Sequence, residues 1–265
     1  MNDWPISLSN LAFIATFLGM ALWESLHPAR AQVSPLGLRW SGNIILLMLA
    51  SLIARLLPFL SGYGAAEWAA SRGWGLLHHV PLTPTAALAA SIILLDFFGY
   101  WTHRLMHQTP LLWRLHALHH SDSDLDVTTT FRHHPAEALV QGAIDAALAL
   151  LFGISPQAVA IYGAVVLMIQ TVHHGNVMLP ARLRPLSRIV ITPDLHRLHH
   201  SMRYAENNSN FGNAVPLWDW LFGTLRRQPE GELEIGLPEF PGAAHQRLGK
   251  LLLQPLLVVI ASRKD

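Results

Sequence analysis

The chain contains no cysteine, which excludes disulfide bonds, thiolate metal ligands and cysteine-bound iron–sulfur clusters. Charged residues are also scarce, at 13% of the 265 residues, and the formal net charge is only +1. The chain has no basic tract that could bind along a phosphate backbone, so nucleic acid is not an expected partner. The N-terminus lacks the basic segment and cleavage site of a secretory signal. We therefore expect the first apolar segment to be kept as a membrane helix.

Apolar residues make up 51% of the sequence, which is more than one soluble core of this size normally hides. Three segments match the hydrocarbon thickness of a bilayer, at 8–26, 40–60 and 84–101. A fourth, at 138–171, is broken at 152–156 and predicts a helical hairpin with arms of about fifteen residues, short for a full crossing. The shorter run 251–260 predicts an interfacial or packing helix.

The arginines predict the orientation of these spans. Arg30 and Arg39 follow the first span, and a loop enriched in arginine is typical of the cytosolic side. Alternating spans then place every histidine motif on the cytosolic face, whereas His78 and His79 face the other way. We expect an integral membrane protein of a bacterial inner membrane.

The predicted fold is an all-α membrane bundle with a helical cap at its cytosolic face, and the cap carries a histidine-rich site for two metal ions. We divide the chain into N-terminal membrane helices at 1–95, a catalytic region at 96–225 and a C-terminal tail at 226–265.

Histidine is abundant, with 16 residues in the chain, and most lie between positions 103 and 200. Residues at i, i+3 and i+4 share one face of a helix and can bind a common metal ion. Two of the groups repeat the pattern His-x-Leu-His-His-Ser at an offset of eighty residues, which indicates two similar ligand clusters around one centre. The four groups are His103 and His107; His116, His119 and His120; His173 and His174; and His196, His199 and His200.

Together with His134, these groups offer about ten imidazoles, too many for one tetrahedral zinc and enough for two metal ions. Imidazole suits iron, zinc, copper and nickel, so the ligand type does not select the metal. His27, His245 and the pair His78–His79 stand apart from the motifs, and we expect them to have interfacial or packing roles.

Asp96 and Tyr100 lie on the same helical stripe as His103 and His107. A carboxylate inside an apolar span has a high free-energy cost unless a partner group compensates its charge. We expect Asp96 either to orient a ligand imidazole as a hydrogen-bond acceptor or to pair with an arginine of another span.

Five segments together resemble the fatty acid hydroxylase and sterol desaturase superfamily of membrane di-metal oxygenases. They are Asp96–His107, Leu112–Ser121, Phe131–Glu137, Thr192–Ser201 and Trp218–Thr224. We expect the last of them to fold back as a lid or brace. The resemblance implies metal ligation by His103, His107, His116, His119, His120, His134, His174, His196, His199 and His200.

Two histidine pairs depart from the family pattern, which has one histidine where this chain has two. We assign His134 and His174 as the ligands, and His133 and His173 as neighbouring outer groups. Asn176, two residues after His174, is a further candidate for an outer contact.

Members of this superfamily use two iron ions and dioxygen to hydroxylate or desaturate lipids such as acyl chains, aminolipids and sterols. Electrons come from a separate carrier, such as a ferredoxin, a cytochrome b5-like protein or a reductase. The sequence agrees with an external donor, because it has neither a dinucleotide fingerprint nor cysteines for an iron–sulfur cluster.

Two other classes compete with an oxygenase. One is a membrane zinc hydrolase, although the chain has no His-Glu-x-x-His motif. The other is a non-enzymatic transporter, or a metal- or haem-binding membrane protein. The clustering of histidines at span ends, away from the bilayer midplane, disfavours a transporter.

Overall fold

The computed structural model describes residues 8–258, so the apolar run at 251–260 ends outside the described residues. Within this range the chain is helical, and the extended pairing found there is a single bridge between Ser201 and Ile235. The helices are α1 (Leu8–Leu26), α2 (Leu36–Leu56), α3 (Gly62–Arg72), α4 (Pro84–Gln108), α5 (Pro110–His120), α6 (Pro135–Phe152), α7 (Pro156–His174), α8 (Pro193–His199), α9 (Tyr204–Asn207), α10 (Leu217–Leu221) and α11 (Leu248–Leu257).

Five helices, α1, α2, α4, α6 and α7, are long and apolar enough to cross a membrane. The all-α membrane fold predicted from the sequence is therefore confirmed. Helix α4 has 25 residues and continues without interruption from the apolar span into the first histidine motif. The terminal helix α11 has 10 residues and is too short to cross a bilayer.

The hairpin arms are longer than the sequence predicted. Helix α6 has 18 residues and α7 has 19, so both are long enough to cross. Pro135 occupies the first turn of α6, where a missing backbone N–H costs nothing, and the helix therefore starts before the apolar run. The predicted arm length of about fifteen residues was too short, because it counted apolar residues only.

The turn between α6 and α7 packs against the segment that follows α3. Gly153 ends α6 with a φ of +67°, and Ser155 caps α7 by accepting a hydrogen bond from Ala158 N. A Cβ atom on Gly75 would lie 2.1 Å from the backbone nitrogen of Gly153. This close approach brings His78 to the turn, at the end of the bundle opposite to the histidine motifs.

The other helix ends meet at the histidine end of the bundle. Glu24, near the end of α1, accepts hydrogen bonds from the backbone N–H groups of Asn176 and Val127 at 3.0 and 3.2 Å. The backbone N–H of Val33, in the loop after α1, donates to Asp124 at 2.6 Å. The first loop therefore lies at the same end as the histidine motifs, as alternating spans predict.

A buried ion pair fixes the start of α2 to the cap, which is formed by residues 109–134 and 175–258. Arg39 donates through Nε and Nη2 to both oxygens of Asp122, at 2.9 and 2.8 Å, and through Nη1 to Asp126 at 2.6 Å. Burial would raise the pKa of Asp122, but Arg39 and Arg132 lower it well below its ordinary value. The carboxylate is therefore ionised, and the pair anchors the segment that follows α5.

The two arms of the hairpin pack on different neighbours. Helix α6 packs on α2 and α3, whereas α7 packs mainly on α1, α3 and α4. Near their turn, small side chains of both arms join one core cluster with α3, where they allow close helix contact. These are Ala146, Ala149 and Ala158, with Ala65 and Ala66 of α3 beside them. A space is left between the arms toward the histidine end.

Candidate metal centre

Five histidines form a first group, which we call the five-histidine group. One ring nitrogen from each lies within 4.8 Å of the others. Helices α4 and α5 each contribute two residues four positions apart, and α8 contributes one, so three helices converge on one point. The members are His103, His107, His116, His120 and His199.

A second set, the four-histidine group, consists of His119, His174, His196 and His200. The Nε2 atom of His174 lies 3.2 Å from that of His119 and 2.8 Å from that of His196. The Nε2 atoms of His196 and His200 are 3.1 Å apart. Ligands at right angles on a metal, with bonds of about 2.1 Å, are about 3.0 Å apart. The spacing is therefore that of nitrogens bound to one ion.

The two groups are adjacent. The rings of His120 and His200, one from each group, stack with centroids 4.3 Å apart and an interplanar angle of 21°. The rings of His196 and His199 are 5.2 Å apart. This proximity is suited to two metal ions that act on one substrate.

The imidazoles of the five-histidine group are oriented through their Nδ1 atoms. The carbonyl oxygens of Phe211 and Ser209 lie 2.8 and 2.7 Å from Nδ1 of His103 and His199. Glu137 Oε1 lies 2.8 Å from Nδ1 of His116. The Nε2 atoms of these three histidines are buried without a hydrogen-bond partner. An N–H donated from Nδ1 leaves the lone pair on Nε2, as a metal ligand requires.

Asn207 connects the remaining members of this group. Its side-chain amide lies between Nδ1 of His107, at 3.2 Å, and Nδ1 of His120, at 3.0 Å. Its Nδ2 also donates to the carbonyl of His199 at 3.1 Å. In the four-histidine group, Nδ1 of His174 lies 2.9 Å from the carbonyl oxygen of Gln170. Side chains and carbonyls outside the ligand set therefore hold several of the rings in place.

The protonation of these histidines suits a cation. Burial lowers the pKa of His119, His120, His196 and His200 well below the ordinary value, and neighbouring histidines add to the effect. Burial also lowers the pKa of His199 to about 3. Neutral imidazoles keep a lone pair for a metal, and no proton has to be displaced. The donor set therefore fits two metal ions held mainly by imidazole.

Glu137 is shared by two histidines. Its Oε1 lies 2.8 Å from Nδ1 of His116 and 3.0 Å from Nδ1 of His133. The ring of His133 stacks on that of His119 at 4.6 Å and 10°. Burial would lower the pKa of His133, but the neighbouring Glu137 raises it. These three residues, His116, His133 and Glu137, form a smaller potential metal-binding group.

His134 lies outside all three groups. Its Nδ1 accepts a hydrogen bond from Ala136 N at 3.1 Å, and its Nε2 lies 3.3 Å from the carbonyl oxygen of Leu252. Because α6 begins at Pro135, the residue before it caps the helix, and the ring turns away from the centre. We therefore correct the choice between the two neighbours: His133, and not His134, lies beside the candidate ligands.

His173 is buried next to the four-histidine group. Its ring stacks on that of His196 with centroids 3.8 Å apart, and both of its nitrogens are without a hydrogen-bond partner. It packs against a candidate ligand, and it lies outside the sets of converging nitrogens that the described residues form. Its neighbour His174 supplies the converging Nε2 atom.

Asp96 does not orient a ligand. Its carboxylate accepts hydrogen bonds from Tyr162 Oη at 2.9 Å and Trp218 Nε1 at 2.7 Å. The reason is distance, because seven residues of α-helix separate Asp96 from His103 by about 10 Å. Both of the expected roles, orientation of a ligand imidazole and pairing with an arginine, are replaced by hydrogen bonds from α7 and from α10.

Tyr100 and Asn176 also contact residues other than the candidate ligands. Tyr100 Oη lies 3.0 Å from Thr224 Oγ1, and its ring stacks on Phe222 at 5.4 Å. Asn176 accepts from Arg30 N at 3.1 Å and donates to Arg30 O at 2.8 Å. The hydrogen bonds found for these side chains hold the segments around the centre.

Several residues that act on the site were missed in the sequence. The side chains of Glu137 and Asn207 lie next to ligand rings, and the backbone carbonyls of Gln170, Ser209 and Phe211 do the same. The sequence signal for Glu137 is its position four residues after His133, although His133 itself precedes α6. The carbonyls of Ser209 and Phe211 have no such signal, since their loop is held by Asp219, which accepts hydrogen bonds from the N–H groups of Phe211 and Gly212, each at 2.8 Å. The segment 218–224 thus braces this loop.

A cavity of about 600 Å³ opens from the histidine groups into the helical bundle. It lies between α2, α4, α6 and α7, and includes the space between the hairpin arms. On α7 its lining extends from Val159 to His174, a length of about 22 Å in an α-helix. His119 and His196 line the end of the cavity at the histidine groups, which we call its upper end. Leu57 and Leu60 line the opposite, lower end. The dimensions suit a long apolar chain.

Comparisons with known proteins agree with this centre. A family model described as fatty acid hydroxylase matches residues 88–224, about half of the chain. The chain is 39% identical over 148 residues to the ornithine lipid hydroxylase OlsE of Rhizobium tropici, a match covering 55% of this chain and 44% of that protein. It is 31% identical over 135 residues to the human alkylglycerol monooxygenase, covering 51% and 29%.

A third relative is the methylsterol monooxygenase 2-2 of Arabidopsis thaliana, with 28% identity over 165 residues, covering 60% of this chain and 61% of that protein. This chain thus spans less than half the length of the first two relatives. No solved structure matches it. The matched region contains both histidine groups, and the chain belongs to the fatty acid hydroxylase family.

Proposed function

We propose that this protein is a membrane-bound oxygenase that uses two iron ions and dioxygen to hydroxylate a lipid. The observation that carries the proposal is the convergence of two imidazole groups at the mouth of a cavity that enters the membrane bundle. The names of the relatives support the reaction class, since they are hydroxylases and monooxygenases.

In this proposal the five-histidine group would hold one iron and the four-histidine group the other. Bound iron would supply the reduction of dioxygen to an oxidant strong enough for an unactivated carbon. Glu137 accepts the Nδ1–H of His116, which leaves the lone pair of His116 on Nε2, where it would be available to an iron ion. Burial of the rings excludes water from the reacting centre and prevents protonation of the ligands. His133 and His173 pack against ligand rings and restrict their rotation.

The proposed substrate is a lipid, and the proposed outcome is hydroxylation, with desaturation as the variant reaction. A bilayer lipid can reach the centre through the apolar part of the cavity without passing through water. The relatives' names refer to ornithine lipids, alkylglycerols and methylsterols, so a polar lipid with a long apolar part is the substrate class that we propose here.

We also propose that an external electron carrier docks at the histidine end, which would face the cytoplasm of a bacterial cell. Arg30 lies in the loop at this end, as the positive-inside rule expects of a cytoplasmic face. The carrier would be a ferredoxin, a cytochrome b5-like protein or a reductase.

The test combines metal analysis with oxygen uptake by detergent-purified protein, supplied with a reductase system and total membrane lipid. We expect about two irons per chain and lipid-dependent uptake, which His119→Ala abolishes. His245→Ala is the control, because His245 lies outside all three histidine groups and its ring contacts the Pro241 carbonyl and Phe240. Zinc that iron cannot replace, with no oxygen consumed by the wild type, would overturn the proposal in favour of a hydrolase.

A further inference from the structure

Asp96 and Asp145 both lie within helices long enough to cross the membrane, and their carboxylates have different surroundings. Asp96 accepts hydrogen bonds from two donors, Tyr162 and Trp218. Asp145 accepts one, from Gln141 Nε2 at 2.8 Å, and it lines the cavity. A carboxylate inside a membrane span is costly unless donors or a cation compensate it. The carboxylate of Asp96 thus has two hydrogen-bond donors to offset the cost of its burial, whereas that of Asp145 has one.

Asp145 belongs to a polar stripe on α6. Glu137, Gln141 and Asp145 are spaced by four residues and all line the cavity, as expected for one face of a helix. Glu137 stands at the candidate metal centre, and Asp145 lies eight residues further along the helix, about 12 Å away. The apolar side chains of Leu57, Leu60 and Leu148 also line the lower part of the cavity, together with the hydroxyl-bearing Ser61 and Tyr162. Asp145 is the acidic side chain of this part of the lining, and Glu137 lies at the histidine end.

The backbone fixes this site in place. A Cβ atom on Gly62, the first residue of α3, would lie 3.0 Å from the Cβ of Asp145. The close contact leaves no room for the Asp145 backbone to withdraw toward α3. The carboxylate is therefore held at the cavity wall, with Gln141 orienting one of its oxygens.

We propose that Asp145 and Gln141 form a recognition site for a hydrogen-bond donor, the ammonium or hydroxyl group of an otherwise apolar lipid. The inference rests on the proposed function, because it uses the cavity as the lipid site. The donor binds Asp145 while the apolar chain extends toward the histidine groups. Asp145 lies about 12 Å along α6 from Glu137, which stands beside the histidine groups, so the proposed substrate class is a long-chain lipid with a polar group remote from the site of oxidation.

The test is a binding experiment on metal-free, detergent-purified protein, and so it does not require turnover. Three probes of similar length are used: hexadecylamine, 1-hexadecanol and 1-methoxyhexadecane, which has no donor. Their affinities are measured by native mass spectrometry. We expect the wild type to bind the amine, the alcohol or both at least about tenfold more tightly than the methyl ether, as for a charge-assisted hydrogen bond.

Two substitutions identify the source of the preference. Asp145→Leu removes charge and acceptor and abolishes any preference over the ether. Asp145→Asn keeps the shape and a carbonyl acceptor, so it abolishes a preference for the amine and keeps one for the alcohol. Ala147→Leu is the matched control, because Ala147 is exposed on the same helix and this substitution leaves the preference intact.

Equal binding of all three probes by the wild type would overturn the site, as would a preference that survives in Asp145→Leu. Oxygen uptake with total lipid separates this failure from failure of the proposed function. Lipid-dependent oxygen uptake together with equal binding of the three probes would contradict the recognition site and still support the oxygenase proposal. Selective binding without oxygen uptake supports the site and overturns the oxygenase proposal.

Discussion

His119 and His199 occupy equivalent positions in two copies of the same six-residue pattern, and each lies in the group formed by the other copy. His199 joins His116 and His120 in the five-histidine group, whereas His119 joins His196 and His200 in the four-histidine group. Each motif therefore supplies its i and i+4 residues to one group and its i+3 residue to the other. Helices α5 and α8 thus both contribute histidines to each of the two candidate metal sites.

Because each motif contributes to both groups, we can predict which double substitutions cause the loss of one metal ion and which cause the loss of two. His119→Ala and His196→Ala remove ligands from the same group, so we expect their combination to lose about one of two ions. His116→Ala combined with His119→Ala affects both groups, although the two residues are neighbours in sequence, and we expect both ions to be lost. Metal content after dialysis against a weak chelator measures the difference. Retention of one full ion by the second combination would contradict this division of the ligands.

Glu137→Gln tests the role of a residue that orients a ligand. Glu137 accepts hydrogen bonds from His116 and His133, and loss of its charge should weaken metal binding about 10–100-fold without removing a ligand ring. Competition with a chromophoric chelator gives the affinity. Glu230→Gln is the control, since Glu230 is an exposed carboxylate paired with Arg226. An unchanged affinity in Glu137→Gln would show that the hydrogen bond does not orient the ligand.

The sequence predicted the spans and nine of the residues that converge in the two groups, because hydropathy and i, i+4 spacing are local properties. It did not predict how the nine divide between the groups, since this depends on the angle at which α5 meets α8. The sequence analysis assigned His134, rather than His133, as a ligand. In the structure His134 instead caps the first turn of α6. Two adjacent histidines have the same local signal.

The residues around the ligands were the hardest to predict. Asn207 is an ordinary polar residue in a short helix, and only the packed structure places its amide between His107 and His120. Asp96 had a clear local signal, a carboxylate on the ligand stripe of α4, but the contact depends on Trp218, which is distant in sequence. Contacts between residues far apart in sequence produce no periodic pattern from which they could be predicted.

Arg39→Met should cause a large loss of stability. Arg39 is fully buried and pairs with Asp122 and Asp126, so its removal leaves two buried carboxylates without their direct guanidinium partner. We expect the free energy of unfolding to fall by about 3–5 kcal/mol, measured by denaturation in detergent. Arg184→Met, at an exposed arginine, should change it by less than about 0.5 kcal/mol. Similar effects of the two substitutions would mean that the buried pair does not anchor the cap.

Gly163→Leu should restrict the length of chain that the protein accepts. Gly163 lines the cavity, and a Cβ atom there would meet nothing within 4 Å, so a larger side chain enters the cavity without disturbing α7. Eleven residues separate it from His174, about 16 Å along the helix. Lipids long enough to pass this point should lose at least about tenfold in binding, whereas shorter ones should bind as before. Gly19→Leu is the matched control, because Gly19 of α1 has equally open surroundings away from the cavity. Binding across a series of chain lengths measures the effect, and a uniform loss at every length would show that chains do not extend to Gly163.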